Sequence, residues 1–359
     1  MAWNSAAVPN DSMPVAAKVA LLRQPGIYPD HPRDVEVVET HMSWVFLTPD
    51  YAYKLKKPVR YDYLDFRTLA ARQYYCTEEV RLNRRLAGSV YLDVVPMVLE
   101  PGGTARLGGK GAVVDWLVKM RRLPADRMLD KALSQGTATQ EDARAVATRL
   151  GEFYMTLPPA PVTVDEYRGR LRRDIDDCER ELSNPAFAQP VALVREVCLA
   201  QRRLLAQDPS RFDQRVKEGR IVEAHGDLRP EHICLAPPLA IIDCLEFSRQ
   251  FRTLDTADEI GFLALECERL GDPDFARVLI GTYRDVTGDR PDAALLHFYQ
   301  SCSACLRAKI TVWHLREAIY RDSPKWPERA RCYLRLAEQH MQACAQAYSH
   351  EGVIRRAVR

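Results

Sequence analysis

Two short acidic segments in the second half of the sequence carry residue types suited to phosphoryl transfer. The first is HGDLRPEHICL, His225 to Leu235, and the second is IIDCLEF, which begins at Ile241. Phosphoryl transfer needs a carboxylate that orients the acceptor hydroxyl, oxygen ligands for magnesium and a lysine on the donor phosphates. Asp227 is the candidate for the first role and Asp243 for the metal. The spacing between them allows a hairpin that brings both to one cleft.

The residues that precede these segments show mainly strand periodicity, from about Val35 to Arg121. We predict three strands in VEVVETHMSWVFLTPDYAYKLKKPV, with a turn at 48–50, and two more in SVYLDVVPMVLE and AVVDWLVKMRRL. The glycine-rich GGTARLGGKG lacks a Ser or Thr after Lys110 and has the wrong glycine spacing for a Walker loop, so it predicts a hairpin turn. Between the strands, LDFRTLAARQYYCTEEVRLNRRLAG predicts one helix that ends at Gly88.

Beyond Leu123 the pattern is helical, with Thr139 as the expected N-cap of a helix that stops before the prolines of PPAP. IVEAHGDL and LAIIDCLEF are the exceptions and predict short strands or strand-like loops. The expected organisation is an N-terminal extension with a short helix at 1–34, a nucleotide-binding sheet and helix at 35–122, and a helical lobe at 123–359. The helical lobe would contain the catalytic loop 225–235 and the metal loop 241–247.

The composition excludes several classes of protein. The 359 residues are 47% hydrophobic, which is enough for a large core, and the net charge of +2 from 51 basic and 49 acidic residues argues against binding to nucleic acid. No run of about 18 apolar residues predicts a membrane span. Ten scattered cysteines and a start without a secretory pattern predict a reduced, cytoplasmic protein.

The two acidic segments also resemble motifs of a known family. HGDLRPEHI is similar to the catalytic loop of the aminoglycoside phosphotransferase-like family, and IIDCLEF stands where that family has its metal-binding aspartate. THMSWVFL, YKLKKPV and FRTLDTADEIGFL are similar to an uncharacterised bacterial branch of it. The resemblance covers about Val35 to Leu265 and implies an α+β, bilobal protein-kinase-like fold. It also implies a small antiparallel-sheet N-lobe with one helix, a larger, mainly helical C-lobe and ATP as cofactor.

The same resemblance suggests which residues hold the phosphate donor. DYAYKLK has the Ala-x-Lys pattern of the third kinase strand, so Lys54 is the first candidate for the donor-phosphate lysine. Lys56 would point to the same face by period two and is the second candidate, whereas Lys57 would face away. Glu79 resembles the helix glutamate that pairs with this lysine; the less favoured alternative is an ordinary pair on the helix surface, and Glu78 is the weaker candidate for the role.

Two further parts of a nucleotide site are expected by position. DWLVKMRRLP would be the last strand running into a hinge, where backbone groups near Met120, Arg121 and Arg122 would bond adenine. The usual glycine-rich lid is missing, because ETHMSWVF contains no glycine. Thr40 to Ser43 are therefore expected to cover the phosphates through backbone and hydroxyl groups.

His232 departs from the family pattern. It stands five positions after Asp227, where the kinase loop has an asparagine that supplies an oxygen to magnesium. Imidazole is a poor ligand for magnesium and suits manganese or zinc better. Either Glu246 replaces the missing oxygen, or manganese serves, or catalysis is lost. Arg229, where protein kinases have a lysine near the transferred phosphate, favours retained activity.

The sequence therefore predicts an ATP-dependent phosphotransferase that moves the γ-phosphate to a hydroxyl of a small molecule, with magnesium or manganese. The alternatives are a nucleotide-binding regulator without turnover and an enzyme that transfers AMP to a protein. Asp255 and Asp258 either brace the catalytic loop, as in a similar kinase segment, or cap the following helix, and Arg252 is expected to pair with them.

Overall fold

The computed structural model describes residues 13–61, 63–317 and 320–357. The chain forms two compact units. The first comprises the chain up to Met128 together with His232–Gln250, and the second comprises Leu129–Glu231 and the chain from Phe251 onward. From sequence we placed 241–247 in the helical lobe. By its contacts this segment groups with the sheet, because its short hairpin packs beside the helix of the first unit.

A six-stranded antiparallel sheet forms the centre of the first unit, with the strand order β1-β2-β3-β8-β6-β7. The strands are β1 Glu36–Glu39, β2 Ser43–Leu47, β3 Tyr51–Lys56, β6 Tyr91–Leu99, β7 Ala105–Leu107 and β8 Ala112–Arg121. Two small antiparallel hairpins have strands of two residues each. They are formed by β4 Arg60–Tyr61 with β5 Leu64–Asp65 and by β10 Ile233–Cys234 with β11 Ala240–Ile241. The helices of this unit are α1 Val15–Leu22 and α2 Leu69–Ala87.

Local chemistry explains where these elements start and turn. The predicted β2–β3 turn is present, and in it the Thr48 hydroxyl accepts a hydrogen bond from the Tyr51 amide at 3.1 Å. Thr68 caps α2 by accepting from the Ala71 amide. The glycine-rich segment is more than the expected hairpin turn, because it contains β7. Gly102 and Gly108 on either side of that strand have φ values of 114° and 80°, which only glycine adopts readily.

The core of the first unit combines apolar packing with a buried charge cluster. Phe46, Leu55 and Leu117 are fully buried between the sheet and α1. Asp115 on β8 accepts from Lys18 of α1 at 2.9 Å and from Arg72 of α2 at 2.7 Å. All three side chains are buried, so their charges are compensated by each other and not by water. The cluster fixes both helices to the sheet.

The second unit is mainly helical. Its helices are α3 Leu129–Ser134, α4 Gln140–Thr156, α5 Val164–Leu182, α6 Val191–Gln207, α7 Pro209–Lys217, α9 Thr256–Arg269, α10 Pro273–Thr287, α11 Ala293–Trp313 and α12 Lys325–Ala357. Two strands, β9 Ile221–Glu223 and β12 Thr253–Asp255, pair antiparallel, and α8 Arg249–Arg252 joins the two units along the chain. Thr139 caps α4 in a capping box with Asp142, as predicted. In the described part of the chain, no helix is both long and apolar enough to cross a membrane.

Candidate active site

Lys54 and Lys56 on β3 point to the same face of the sheet and share one carboxylate. The Nζ atom of Lys54 lies 2.9 Å from Oε1 of Glu79, and the Nζ atom of Lys56 lies 2.5 Å from Oε2 of the same residue. Glu79 is on α2 and is fully buried. Burial opposes its ionisation, but the two lysines outweigh burial and lower the pKa of its carboxyl. Glu78 instead pairs with Arg81 on the exposed face of the helix.

The two lysines differ in their second partner and in their exposure. Lys54 is 15% exposed and bonds Asp243 at 2.6 Å, whereas Lys56 is 1% exposed and bonds Glu246 at 2.5 Å. The ring of Phe66 lies 5.1 Å from the Lys56 ammonium. Burial disfavours the charge of Lys54, but Asp243 and Glu79 outweigh it and raise its pKa well above the ordinary value. Lys54 is thus the lysine that a ligand can reach, and Lys56 is part of the buried structure.

Asp243 is held in an unusual backbone conformation. Its φ is 63°, in the left-handed region that is uncommon for residues with a side chain. The Asp243 amide donates to the Tyr91 hydroxyl at 3.1 Å, and the next amide, of Cys244, donates to Oδ1 of Asn83 at 2.8 Å. Asn83 in turn donates to the Glu79 carbonyl. The helix that carries Glu79 therefore also fixes the loop that carries Asp243.

Asn83 and Tyr91 are site residues that the sequence analysis missed. Asn83 stands four positions after Glu79, one helical turn along α2, and this spacing was the available signal. Tyr91 is fully buried, and burial, Glu79 and Asp243 raise the pKa of its phenol well above the ordinary value. It therefore stays neutral and acts as a hydrogen-bonding anchor.

His232 and Asp243 lie side by side in the first unit. The Nε2 atom of His232 is 3.5 Å from Oδ2 of Asp243, and the His232 carbonyl accepts from the Ile242 amide at 2.8 Å. Glu246 does not join them, because it is held by Lys56. Within the described residues, no group of three or more His, Cys, Asp or Glu side chains is arranged to hold a metal ion. The 40% exposed Asp243 carboxylate suits magnesium that takes its other ligands from water and phosphate.

The turn between β1 and β2 occupies the expected position of the lid. The Thr40 hydroxyl accepts from the Ser43 amide at 3.0 Å, and the Thr40 amide donates to the Ser43 carbonyl at 2.8 Å. These polar groups close the turn on itself, and the Ser43 side chain is buried. The predicted contact of the Ser43 hydroxyl with phosphates would thus need a rearrangement, so backbone groups of the turn are better candidates.

An aromatic ladder of His41, Tyr61, Tyr63 and Phe247 connects this turn with the loop after Asp243. The rings of His41 and Tyr61 stack at 5.4 Å, those of Tyr61 and Tyr63 at 5.8 Å, and Tyr63 lies 5.4 Å from Phe247. The Tyr61 hydroxyl is 2.8 Å from Nε2 of His41. Side-chain stacking thus supports a turn that has no glycine.

The predicted hinge residues are largely occupied by the sheet. Met120 pairs with Ala52 on one side and Tyr91 on the other. The Arg121 amide donates to the Val90 carbonyl and the Arg122 amide to the Asp50 carbonyl, both at 2.9 Å. The Arg122 side chain also bonds Glu36. Because these amides already have acceptors, adenine recognition by this segment would have to use other backbone groups.

Asp227 and Arg229 lie in the second unit. The Nη2 atom of Arg229 is 2.9 Å from Oδ2 of Asp227, and its Nη1 atom is 2.5 Å from Oε1 of Glu231. Burial opposes the charge of Arg229, but Asp227 outweighs burial and raises its pKa. The buried His225 accepts from the Asp227 amide through Nδ1 at 3.3 Å, so this histidine holds the backbone of the loop.

Glu259 braces the predicted catalytic loop, in place of Asp255 and Asp258, which the sequence suggested for this role. Its carboxylate accepts from the His225 amide at 3.0 Å, from the Gly226 amide at 2.6 Å and from the Tyr154 hydroxyl at 2.7 Å. Gly226 has a φ of 89°, which requires glycine here. The expected contact of Asp255 and Asp258 with the loop is replaced by this buried glutamate, one turn further along α9.

Asp255 and Arg252 have other partners. Asp255 caps α9 and forms a buried bidentate ion pair with Arg215, at 2.7 and 2.8 Å. Arg252 was expected to pair with Asp255 or Asp258 but bonds Glu223 on the neighbouring strand at 2.8 Å. The capping alternative for Asp255 is therefore the correct one.

Sequence comparison matches this chain to curated mycobacterial proteins. Uncharacterised proteins of Mycobacterium tuberculosis and Mycobacterium bovis are each 30% identical to this chain over 318 residues, which is 86% of this chain and 60% of theirs. The chain thus spans less than two thirds of the curated relatives that it matches. No family model matches the sequence.

Three solved structures resemble the chain over most of its length. A choline/ethanolamine kinase family protein from Mesorhizobium loti has a TM-score of 0.51 at 18% identity and covers 91% of this chain and 98% of its own. Choline kinase from Cryptosporidium parvum has a TM-score of 0.51 at 8% identity and covers 95% of this chain and 97% of its own. An AMP-bound spectinomycin phosphotransferase has a TM-score of 0.50 at 10% identity and covers 90% of this chain and 97% of its own. The chain has the protein-kinase-like fold of these small-molecule kinases, so the predicted fold is confirmed.

Proposed function

We propose that this chain is an ATP-dependent phosphotransferase that moves the γ-phosphate to a hydroxyl of a small molecule. The observation that carries the proposal is that Lys54 bonds both Glu79 and Asp243. Its Nζ atom lies 2.9 Å from the Glu79 carboxylate and 2.6 Å from the Asp243 carboxylate. A strand lysine, a helix glutamate and a loop aspartate in this order are the donor-site parts of kinases. The names of the structural neighbours support the same reaction class.

Each residue has a proposed role. Lys54 would leave Asp243 and bind the donor phosphates, with Glu79 holding its ammonium in place. Asp243, with His232 beside it, would hold magnesium or manganese, which neutralises charge on the phosphate oxygens when bound. Asp227 would orient the acceptor hydroxyl and take its proton, and Arg229 would offset charge on the transferred group. The new bond forms between phosphorus and the acceptor oxygen, the bond to the β-phosphate oxygen breaks, and ADP leaves.

Isothermal titration with ATP tests the donor half of this proposal. We expect binding with magnesium or manganese, and at least a tenfold loss of affinity in Lys54→Met, because each tenfold corresponds to about 1.4 kcal/mol and a charge-assisted contact contributes about 1.5–3 kcal/mol. Lys57→Met is the matched control, since Lys57 bonds the exposed Glu39. No binding with either metal, or an equal loss in both variants, would refute the donor site.

A nucleotide-binding regulator without turnover is the second candidate, favoured by the imidazole beside Asp243. The two candidates differ in ADP formation. An enzyme produces ADP at a rate that depends on an alcohol acceptor and falls in Asp227→Asn, whereas a regulator binds ATP and leaves it intact.

We also propose a reducing, cytoplasmic location, which all ten cysteines support by being free thiols.

A further inference from the structure

Arg307 on α11 is a buried cation with little compensation. Its side chain is 11% exposed, and its Nε atom has no hydrogen-bond acceptor. The ion pair that it makes, with Glu266 of α9, is long at 3.5 Å between Nε and Oε1. The Tyr333 hydroxyl of α12 is a neutral hydrogen-bonding neighbour, so the Nε atom is the part of the guanidinium that lacks an acceptor. A guanidinium has five donors, and buried donors are costly when they lack acceptors, so this side chain is suited to bind an acceptor from outside.

Glu266 bonds two other groups more closely than it bonds Arg307. Oε1 accepts from the Tyr333 hydroxyl at 2.7 Å, and Oε2 accepts from Nε of Arg269 at 2.8 Å. The guanidinium groups of Arg269 and Arg307 lie 5.4 and 5.8 Å from the ring of Tyr333. Two guanidinium groups thus share the Glu266 carboxylate.

The cluster lies near Asp227. Burial opposes the charge of Arg307, but Glu266, Tyr333 and Asp227 raise its pKa. Arg229, which is closer to Asp227, is bonded directly to Asp227 and to Glu231. Arg307 therefore differs from Arg229 in the distance to its carboxylate partner, which is 3.5 Å for Arg307 and 2.5 to 2.9 Å for Arg229. Arg307 is still in the electrostatic range of Asp227, the proposed acceptor-orienting group.

We propose that the phosphate acceptor carries an oxyanion, a carboxylate or a phosphate ester, in addition to its reacting hydroxyl, and that Arg307 binds this oxyanion. The inference rests on the proposed function, in which Asp227 orients the hydroxyl. A planar guanidinium binds both kinds of oxyanion through two parallel hydrogen bonds. The same charge disfavours a cationic alcohol. Arg307 is thus a specificity-determining residue.

ADP release with matched alcohols tests the inference. The pairs are glycerate with glycerol and gluconate with sorbitol; glycerol 3-phosphate represents the phosphate ester, and choline represents a cationic alcohol. We expect turnover with the anionic alcohols only, and the anionic alcohol that reacts tells a carboxylate from a phosphate. Arg307→Gln should raise the KM of that acceptor at least tenfold, the equivalent of about 1.4 kcal/mol, with an unchanged KM for ATP. Arg307→Lys should recover part of the loss.

The controls separate this inference from the proposed function. Arg277→Gln, on the exposed face of α10 where Arg277 bonds Asp274, should leave both KM values unchanged. Thermal melting shows whether Arg307→Gln is folded, and ATP titration shows whether the donor site works. If ATP does not bind to the wild type, the proposed function fails. If ATP binds but the anionic alcohols give no turnover, or only uncharged or cationic alcohols react, the oxyanion inference alone is overturned.

Discussion

Replacing Lys56 by methionine should destabilise the protein by about 3–5 kcal/mol, the usual cost of leaving a buried charge without its partner. Lys56 is 1% exposed and bonds both Glu79 and Glu246. In the variant Glu79 keeps Lys54, but the 10% exposed Glu246 loses its ion pair with Lys56. Lys54→Met should cost less, about 1–2 kcal/mol, because Lys56 still neutralises Glu79 and Asp243 is solvated.

A double-mutant cycle isolates the buried pair. Lys56→Met with Glu246→Gln removes both charges, so the double variant should be at least about 1 kcal/mol more stable than Lys56→Met alone. Urea unfolding measures each free energy. Thermal melting gives a second reading, since about 2 °C corresponds to 1 kcal/mol in a large domain, or about 6–10 °C for Lys56→Met.

The expected difference in stability between Lys56→Met and Lys54→Met comes from the deeper burial of Lys56. Lys57→Met provides the background, because Lys57 pairs with an exposed glutamate. If Lys56→Met stays within about 1 kcal/mol of the wild type, or if the effects of Lys56→Met and Glu246→Gln simply add, the pair is not buried and coupled as described.

Three further predictions concern other charged groups. Burial, and then Asp255, raise the pKa of Asp258 to about 7, above its ordinary value of 3.8; the folded state therefore binds a proton that the unfolded chain releases, and stability falls as pH rises from about 4 to 7. Asp258→Asn should melt above the wild type by a margin that grows from pH 4 to pH 8, and a constant margin would contradict the assignment. Glu259→Gln should lower the free energy of unfolding by about 2–3 kcal/mol, because the catalytic-loop amides lose a charged acceptor, and urea unfolding equal to the wild type would exclude this brace. His232→Asn should shift the metal preference of ATP binding from manganese towards magnesium. If titrations give the same ratio of ATP affinities with the two metals in the variant and the wild type, His232 does not neighbour the metal.

The strands and the shared face of the two lysines were predictable because they depend on short-range periodicity. Alternation along YAYKLK places Lys54 and Lys56 together whatever packs against them. Thr139 and the β2–β3 turn follow equally local rules of capping and turn formation. The bilobal fold followed from the order of the motifs, which local periodicity alone would not have supplied.

The partners of the site residues were not predictable, because they depend on packing between distant segments. Asn83 reaches Cys244 across 161 positions, and Glu259 reaches His225 across 34. Choosing Glu259 over Asp255 required knowing which turn of α9 faces the loop. The sharing of Glu79 by two lysines was hidden for the same reason, since period two predicts a common face but not a common partner.

The left-handed backbone at Asp243 limits how this position can change during evolution. Aspartate, asparagine and glycine tolerate φ near 63°, whereas branched side chains do not. One substitution, to asparagine or glycine, can therefore remove the carboxylate and leave the loop intact. A relative with either residue at this position would retain the fold without the proposed metal-binding carboxylate. A valine or isoleucine there would indicate that the backbone of the loop has a different conformation.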